Sequence, residues 1–348
     1  MKHLGRSWVA EAAAGAALPA AVLVLVAGYG WLVADEGLQT KITLFFINVV
    51  FVVALQTFSG NSGILSFGQM AFVGVGAYVA AILTIDPALK PTLLTGLPGF
   101  LDRAQLSFVE ATAAAAAVAA LVALVTGLPI LRLDGASAVI AILSLLLIAD
   151  VVFSGWIGVT RGAGGLYAIP PEATLGRTLG VAVLVVFIAR WFRDSKTGLL
   201  LRGSREDAFS AASVGVFVRG SRMRAWVLSG ALSGAGGALF AFWLGTVSPT
   251  NFFLAPTFAV IVMLILGGMA TVSGAVLGAG LVTFVQEWLR PYEDNSVHLG
   301  PLDIDRLTGL TQLALVAMIL AVMYLRREGL VARRELDESL RGLLGRGR

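Results

Sequence analysis

Apolar runs alternate with short polar connections along almost the whole chain. A helix of about 20 apolar residues is long enough to cross the hydrocarbon core of a bilayer. Glycine clusters interrupt the stretch from 257 to 290, which is therefore either two spans or one broken element. With that stretch taken as two, the pattern predicts about ten segments, near 16–34, 42–59, 63–85, 111–131, 136–158, 175–192, 223–246, 257–271, 274–290 and 309–325.

Composition narrows the class of protein. Hydrophobic residues make up 57% of the chain and charged residues 13%, against about 25% charged residues in soluble domains. Because lipid cannot satisfy backbone polar groups, such a chain is expected to be an all-α, polytopic membrane protein. The absence of cysteine excludes disulfides and thiol catalysis. Both histidines, His3 and His298, fall outside the apolar segments, so no metal site is expected.

The N-terminus resembles a signal peptide at first sight, because Lys2 and Arg6 precede the first apolar run. That run is longer than the apolar region of a typical signal peptide, and no small-residue cleavage site follows it. We therefore expect a retained first span.

Charge bias predicts the orientation. The connection 193–222 and the tail 331–348 are basic, whereas the connection 291–308 is acidic. The positive-inside rule places the first two in the cytoplasm and the third outside, and it accounts for the net charge of +4 without a nucleic-acid partner. Ten spans then give cytoplasmic N- and C-termini and a membrane domain over 1–330. Segments two to five and seven to ten would form two inverted halves, although their sequence similarity is too weak to show a repeat.

The basic connection contains a short helix signal. Ser204-Arg205-Glu206-Asp207 has the form of a capping box, and Gly215 has the place of a helix stop. A helix over Arg205–Ser213 is too short to be stable alone, so we expect it to dock on a partner. The chain has no phosphate-binding P-loop, so ATP hydrolysis would reside on that partner. The residues predicted to couple the two proteins are Arg202, Ser204, Arg205, Glu206, Asp207, Ala208, Ala211, Ala212 and Gly215.

Polar and glycine-rich clusters give candidates for a translocation path, each with an alternative that stays open. Amides in a span either face water and substrate or bond a neighbouring helix. The external glycine loop is either a binding loop or a plain turn, and the last cluster is either a broken helix beside a cavity or a tight hairpin. The candidates are Asn61, Gln69, Gly162, Gly164, Gly267 and Gly268. No nucleophile–base pair or chain of intramembrane carboxylates accompanies them, so neither catalysis nor an ion relay is predicted.

Four blocks, 60–78, 160–166, 202–215 and 266–280, occur together and in this order in one family. The chain resembles, over about 40–330, the permease subunits of bacterial ABC importers for branched-chain amino acids, of the LivM type. That family's final span commonly ends in R-P-x-G-L, and here Arg326-Arg327-Glu328-Gly329-Leu330 lacks the proline. The family's cytoplasmic coupling segment is matched at Arg202, Arg205, Asp207, Ala208, Ala211, Ala212 and Gly215.

The resemblance implies a transporter subunit of the bacterial inner membrane with the ABC importer permease fold. It implies two ATPase subunits that bind the ATP, a second homologous permease, and a periplasmic or lipoprotein solute-binding protein. The chain itself would hold no cofactor. The implied solutes are branched-chain or related hydrophobic amino acids. Urea, a short amide or another small solute is the alternative within the family, and an ATP-independent secondary transporter or channel is the alternative outside it.

Overall fold

The computed structural model describes residues 4–294, 297–299, 302–304, 309–325, 329–331 and 335. Within them, eight helices are long and apolar enough to cross a membrane, and two shorter apolar helices accompany them. The all-α, polytopic class is therefore confirmed, while the count of ten spans stays a prediction. Of the predicted tail, only Val331 and Glu335 are described; His3 and the other tail residues lie outside the described residues.

The helices follow the chain in two series. The first series is α1 (Leu4–Val33), α2 (Glu36–Ser62), α3 (Gln69–Thr84), α4 (Lys90–Leu93), α5 (Gly99–Asp102), α6 (Phe108–Ile130), α7 (Gly135–Gly155), α8 (Ile157–Thr160), α9 (Leu175–Asp194) and α10 (Lys196–Gly203). The second is α11 (Ala208–Ser213), α12 (Val218–Leu244), α13 (Leu254–Gly267), α14 (Val272–Asp294) and α15 (Leu310–Leu325). A two-stranded antiparallel hairpin of β1 (Val297–Leu299) and β2 (Leu302–Ile304) lies between α14 and α15.

Each predicted segment coincides with one helix, but the third begins later than expected. The apolar pattern is continuous from Gly63, whereas α3 begins only at Gln69. Gln69 bonds Ser229, which lies about three turns into α12, so residues 63–68 reach well into the bundle without helical structure. We call this segment the first break. Backbone of this kind is tolerated in a membrane where protein buries it or where it lines a cavity.

A second break in the α-helices, residues 245–253, follows α12 as the first break follows α2, and it contains one 3-10 turn, Pro249–Phe252. Both preceding helices have 27 residues and end at a left-handed glycine, Gly63 with φ 75° and Gly245 with φ 72°. The following helices, α3 and α13, have 16 and 14 residues. The contacts between α2 and α12 run in opposite directions along the two helices: Trp226 lies against Phe58, Ser229 donates to the carbonyl of Ala54, and Gly236 lies against Val50, so the helices are antiparallel. The helix lengths and directions thus agree with two inverted halves.

Helix α12 lies at the centre of the bundle, where small residues let it approach its neighbours. A Cβ on Gly237 would lie 2.0 Å from the carbonyl oxygen of Val73 in α3, and one on Gly234 would lie 2.6 Å from that of Ala115 in α6. These glycines therefore serve close helix packing.

Candidate functional site

One end of the bundle carries α10, α11 and their connections, residues 195–217, and we call it the basic face. Helix α11 begins where the Asp207 carboxylate accepts hydrogen bonds from the amides of Phe209 (2.9 Å) and Ser210 (3.0 Å). It ends at Gly215, whose φ is 87°. The amide of Gly215 donates to the carbonyl of Ala212, and that of Val216 to Ala211, as in a Schellman motif. The predicted stop at Gly215 is confirmed.

The predicted start of this helix is wrong. Helix α10 continues to Gly203, and Ser204 is its C-cap, with its hydroxyl donating to the carbonyl of Leu201 at 2.8 Å. Leu201 is fully buried and holds α10 against the bundle, so α10 extends to Gly203. Ser204 caps the end of α10 and is therefore not the N-cap of α11. Asp207 caps α11 instead. The hydroxyl and amide of Ser210 and the amide of Phe209 hold the pKa of Asp207 below its usual value.

The outer part of this loop exposes apolar side chains. No residue of α11 is buried, and the exposed fractions are 86% for Phe209, 80% for Val214 and 73% for Phe217. We call these three residues the apolar tip. Their neighbours Arg205, Glu206, Asp207 and Arg219 are polar and exposed, so the tip stands on a charged surface. Apolar patches rimmed by polar residues mark sites of protein–protein contact.

Beneath the tip, charged side chains are buried. Glu335 is 1% exposed and pairs with Arg190 Nη1 at 3.1 Å and Arg193 Nε at 3.2 Å. Arg190 also pairs with Asp194 at 2.7 Å. We call Arg190, Arg193, Asp194 and Glu335 the ionic base. The base ties the tail to the end of α9, from which the loop begins.

Glu335 also caps a membrane helix. Its carboxylate accepts hydrogen bonds from the amides of Val272 (2.9 Å) and Ser273 (3.1 Å), the first residues of α14. Burial alone would raise the pKa of Glu335, but Arg193, Arg190 and these hydrogen bonds outweigh it and lower that pKa. Sequence reasoning missed this residue. The one available signal was the pair of arginines at the end of an apolar segment.

The predicted amides lie in the core. Gln69 Nε2 donates to the carbonyl (3.0 Å) and hydroxyl (2.7 Å) of Ser229, and Asn61 Nδ2 donates to the carbonyl of Thr57 at 2.9 Å. Gln69 thus bonds a neighbouring helix, α12, whereas Asn61 bonds its own helix α2. Within the described part of the chain, Asn61 Oδ1, Gln69 Oε1 and both amide atoms of Gln56 find no protein partner. This is a buried polar cluster beside the first break.

The four glycine candidates lie in two turns, and the choice between a binding loop and a plain turn for Gly162 and Gly164 stays a prediction. Gly162 is buried in a turn at the end opposite the basic face, and a Cβ there would lie 2.6 Å from the carbonyl oxygen of Ser154; the space around Gly164 is open. Gly267 and Gly268 form a tight hairpin between α13 and α14, where a Cβ on Gly267 would lie 2.0 Å from the carbonyl oxygen of Gly274. The six predicted path residues therefore do not converge on one site.

A cavity of about 570 Å³ lies elsewhere, among α2, α12, α13, α14 and α15. Its walls are mostly apolar, and four amides interrupt them: Asn48, Asn251, Gln286 and Gln312. None of these amides was singled out as a path residue from the sequence, because each stands alone within or beside an apolar run. Among the described residues, no group of His, Cys, Asp and Glu could hold a metal ion.

Proteins similar in sequence to this chain are permeases of branched-chain amino acid transport. The chain is 26% identical over 311 residues to the high-affinity branched-chain amino acid transport system permease protein LivM of Escherichia coli K12, with 80% of this chain and 69% of that protein covered. The LivM protein of Salmonella typhimurium LT2 is 24% identical over the same shares. A probable LivH permease of Methanocaldococcus jannaschii is 31% identical over 115 residues, which cover 33% of this chain and 36% of that protein. No solved structure matches significantly.

A family model covers most of the chain. The model describes the branched-chain amino acid transport system / permease component and matches residues 37–324, from the start of α2 almost to the end of α15. Both breaks, the basic face and the cavity lie inside this range. The chain therefore belongs to the family of branched-chain amino acid transport permeases, and it is a transporter subunit of the membrane.

Proposed function

We propose that this chain is the membrane-spanning subunit of an ATP-driven importer for branched-chain or related hydrophobic amino acids. Two separate ATPase subunits bind and hydrolyse the ATP, and they dock on the basic face. The apolar tip carries the proposal. Phe209, Val214 and Phe217 are exposed on a charged surface, where lipid does not cover them, and a protein partner would bury them.

The contacts of the loop provide a mechanical route from the tip to the spans. Arg205 packs against Gly63, and its Nη1 lies 3.5 Å from the carbonyl oxygen of Gly60 at the end of α2. Arg202 Nη2 donates to the carbonyl of Arg193 at the end of α9, at 3.1 Å. A displacement of α11 by closing ATPases would therefore reach α2 and α9 directly. Rigid-body switching of this kind alternates access to a central site.

The other parts of the machine follow from the orientation. The basic face lies in the cytoplasm of a bacterial cell, since lysine and arginine accumulate on that side of inner-membrane proteins. A second, homologous permease completes the pathway, and a solute-binding protein docks on the opposite end. The name of the LivM relative, a permease protein of a transport system, supports an assembly of several subunits.

Reconstituted uptake tests the proposal. The chain is co-expressed with its genomic neighbours, purified through a tag on this chain and placed in proteoliposomes with radiolabelled leucine. We expect an ATPase to co-purify and leucine uptake to require ATP and the binding protein. Uptake by the chain alone, driven by an ion gradient, would show a secondary transporter instead. Uptake of urea in place of leucine would contradict the proposed solute class.

A further inference from the structure

The cavity lies where the two breaks approach each other. Asn251 and Phe252 of the second break line it, as does Met70, which follows the first break. The ring of Phe67, in the first break, contacts that of Phe258 in the cavity wall, with centroids 5.9 Å apart. Transporters built from inverted halves bind their solutes near the middle of the bilayer, between discontinuous helices. The position of this cavity meets that description.

The cavity has the size and lining of a small-molecule site. Its volume of about 570 Å³ falls within the roughly 300–1,000 Å³ of ligand pockets, which are mostly apolar with a few placed polar groups. Phe51, Met263 and Ile319 are among the apolar walls. None of the described lining residues is charged. A solute with a net charge would lose its hydration there without a counter-ion, so the lining favours a solute of zero net charge.

Two amides leave complementary groups for a solute. Asn48, near the middle of α2, uses its amide nitrogen to donate to Thr283 Oγ1 at 2.9 Å, which leaves its oxygen as an acceptor. Asn251 does the reverse: its oxygen accepts from the amide and hydroxyl of Ser248, both at 2.8 Å, which leaves its N–H groups as donors. An acceptor suits an ammonium group, and N–H donors suit a carboxylate.

We infer that this cavity binds a zwitterionic amino acid with an apolar side chain. Asn48 receives the ammonium group, Asn251 receives the carboxylate, and the apolar walls receive the side chain. One flank of the cavity is open beside the exposed amide of Gln312, and an amide is disfavoured against lipid, so protein or water covers that flank. The inference rests on the proposed function for the solute class, but it concerns binding and not the source of energy.

A single introduced cysteine tests it directly, because the chain has no cysteine of its own. Ala259 lines the cavity. The variant Ala259→Cys is prepared in membranes that contain the full transporter, and it is treated with a water-soluble maleimide in the absence of ATP. We expect labelling of this chain, slowed several-fold by millimolar leucine. Isoamylamine, which lacks the carboxylate, and isocaproate, which lacks the ammonium group, are expected to protect weakly. Ala88→Cys, exposed in the connection between α3 and α4, is the matched control, which should be labelled without protection by leucine.

The outcomes separate the cavity from the energy source. If leucine slows labelling but no ATPase is found, the cavity stands and the ATP-driven mechanism fails. If uptake requires ATP but labelling of Ala259→Cys ignores leucine, the cavity inference is overturned. If no water-soluble reagent labels Ala259→Cys, lipid occupies the cavity, and the cavity inference is also overturned. Normal uptake by the labelled protein would do the same.

A charge substitution tests the assignment of the two amides. Asn251→Asp keeps the oxygen that caps Ser248 but replaces the amide donors with a negative charge. Protection by leucine should fall several-fold, while protection by isoamylamine should rise, because the new carboxylate repels one end of leucine and attracts an amine. Gln286→Glu, which also lines the cavity, is the control for a new charge. An equal response of both variants to leucine and isoamylamine would contradict the assignment.

Discussion

The tip and the base of one loop reverse the usual distribution of polar and apolar side chains. At the base, Arg190, Arg193 and Glu335 are almost completely buried, although charged groups are costly to bury. At the tip, Phe209 and Phe217 are almost completely exposed, although aromatic side chains normally fill cores. The tip lies in the loop that follows α9, and the base joins the end of α9 to the tail.

The difference shows where each part finds its partner. The charges of the base are matched within the chain, by Asp194, by the tail and by the amides at the start of α14. The apolar groups of the tip have no such match among the described residues. The base therefore fixes the tail to α9 and α14, and the tip is the surface that the proposed ATPase would cover. Changes at the base should alter stability, and changes at the tip should alter association.

The largest effect is expected from Glu335→Ala. The substitution leaves Arg190 and Arg193 buried without their shared carboxylate, which costs about 3–5 kcal/mol when one partner of a buried pair is removed. The midpoint of thermal unfolding in detergent should fall clearly. Glu172→Ala removes an ion pair of similar length but greater exposure, and it should cost about 1 kcal/mol or less. Equal effects of the two variants would contradict the account of the base.

The pH dependence of the base is the next largest effect. Because the folded-state pKa of Glu335 lies below the ordinary 4.5, its contribution is complete above pH 4.5 and is lost as the pH falls through the folded-state pKa. The stability difference between the wild type and Glu335→Gln should therefore be constant at neutral pH and shrink only in acid. A difference that disappears near neutral pH would contradict the pairing.

A smaller and more local effect is expected from Asp207→Ala. The variant loses the hydrogen bonds to the amides of Phe209 and Ser210, so α11 should fray while the bundle stays intact. Hydrogen exchange over 208–213 should accelerate several-fold, with unchanged exchange in α10. Ser204→Ala serves as the comparison, since Ser204 ends α10 and does not cap α11. Faster exchange in α11 of Ser204→Ala would restore the original capping-box prediction.

The spans were predictable from the sequence because a long apolar run is a local signal. The start of α3 was not, because the glycines and Ser66 of this stretch fit an irregular element and a closely packed helix equally well, and only the contacts of Ser66 and Gln69 separate the two. The choice between Ser204 and Asp207 as the cap was not predictable either. Both are good N-cap residues, and the burial of Leu201 decides between them by extending α10.

The ionic base and the cavity depend on distant parts of the chain. Glu335 stands in a tail rich in both signs of charge, and no local pattern marks it as the residue that reaches Arg190 and Val272. Asn48 and Asn251 are isolated amides in the sequence, and they gain a shared role only when α2 and the second break line the same cavity. The coupling residues stay a prediction, and they could be proposed from the sequence because they lie close together in it.

The retention of an ATPase by tip variants tests the central claim most directly. Phe209→Ser with Phe217→Ser should leave the unfolding midpoint unchanged, because both side chains are exposed, and should abolish co-purification of the ATPase and ATP-dependent uptake. Ile157→Ser, of similar exposure at the opposite end, should retain the ATPase. An ATPase that co-purifies at the wild-type ratio with the double variant would contradict the assignment of the tip as its docking site.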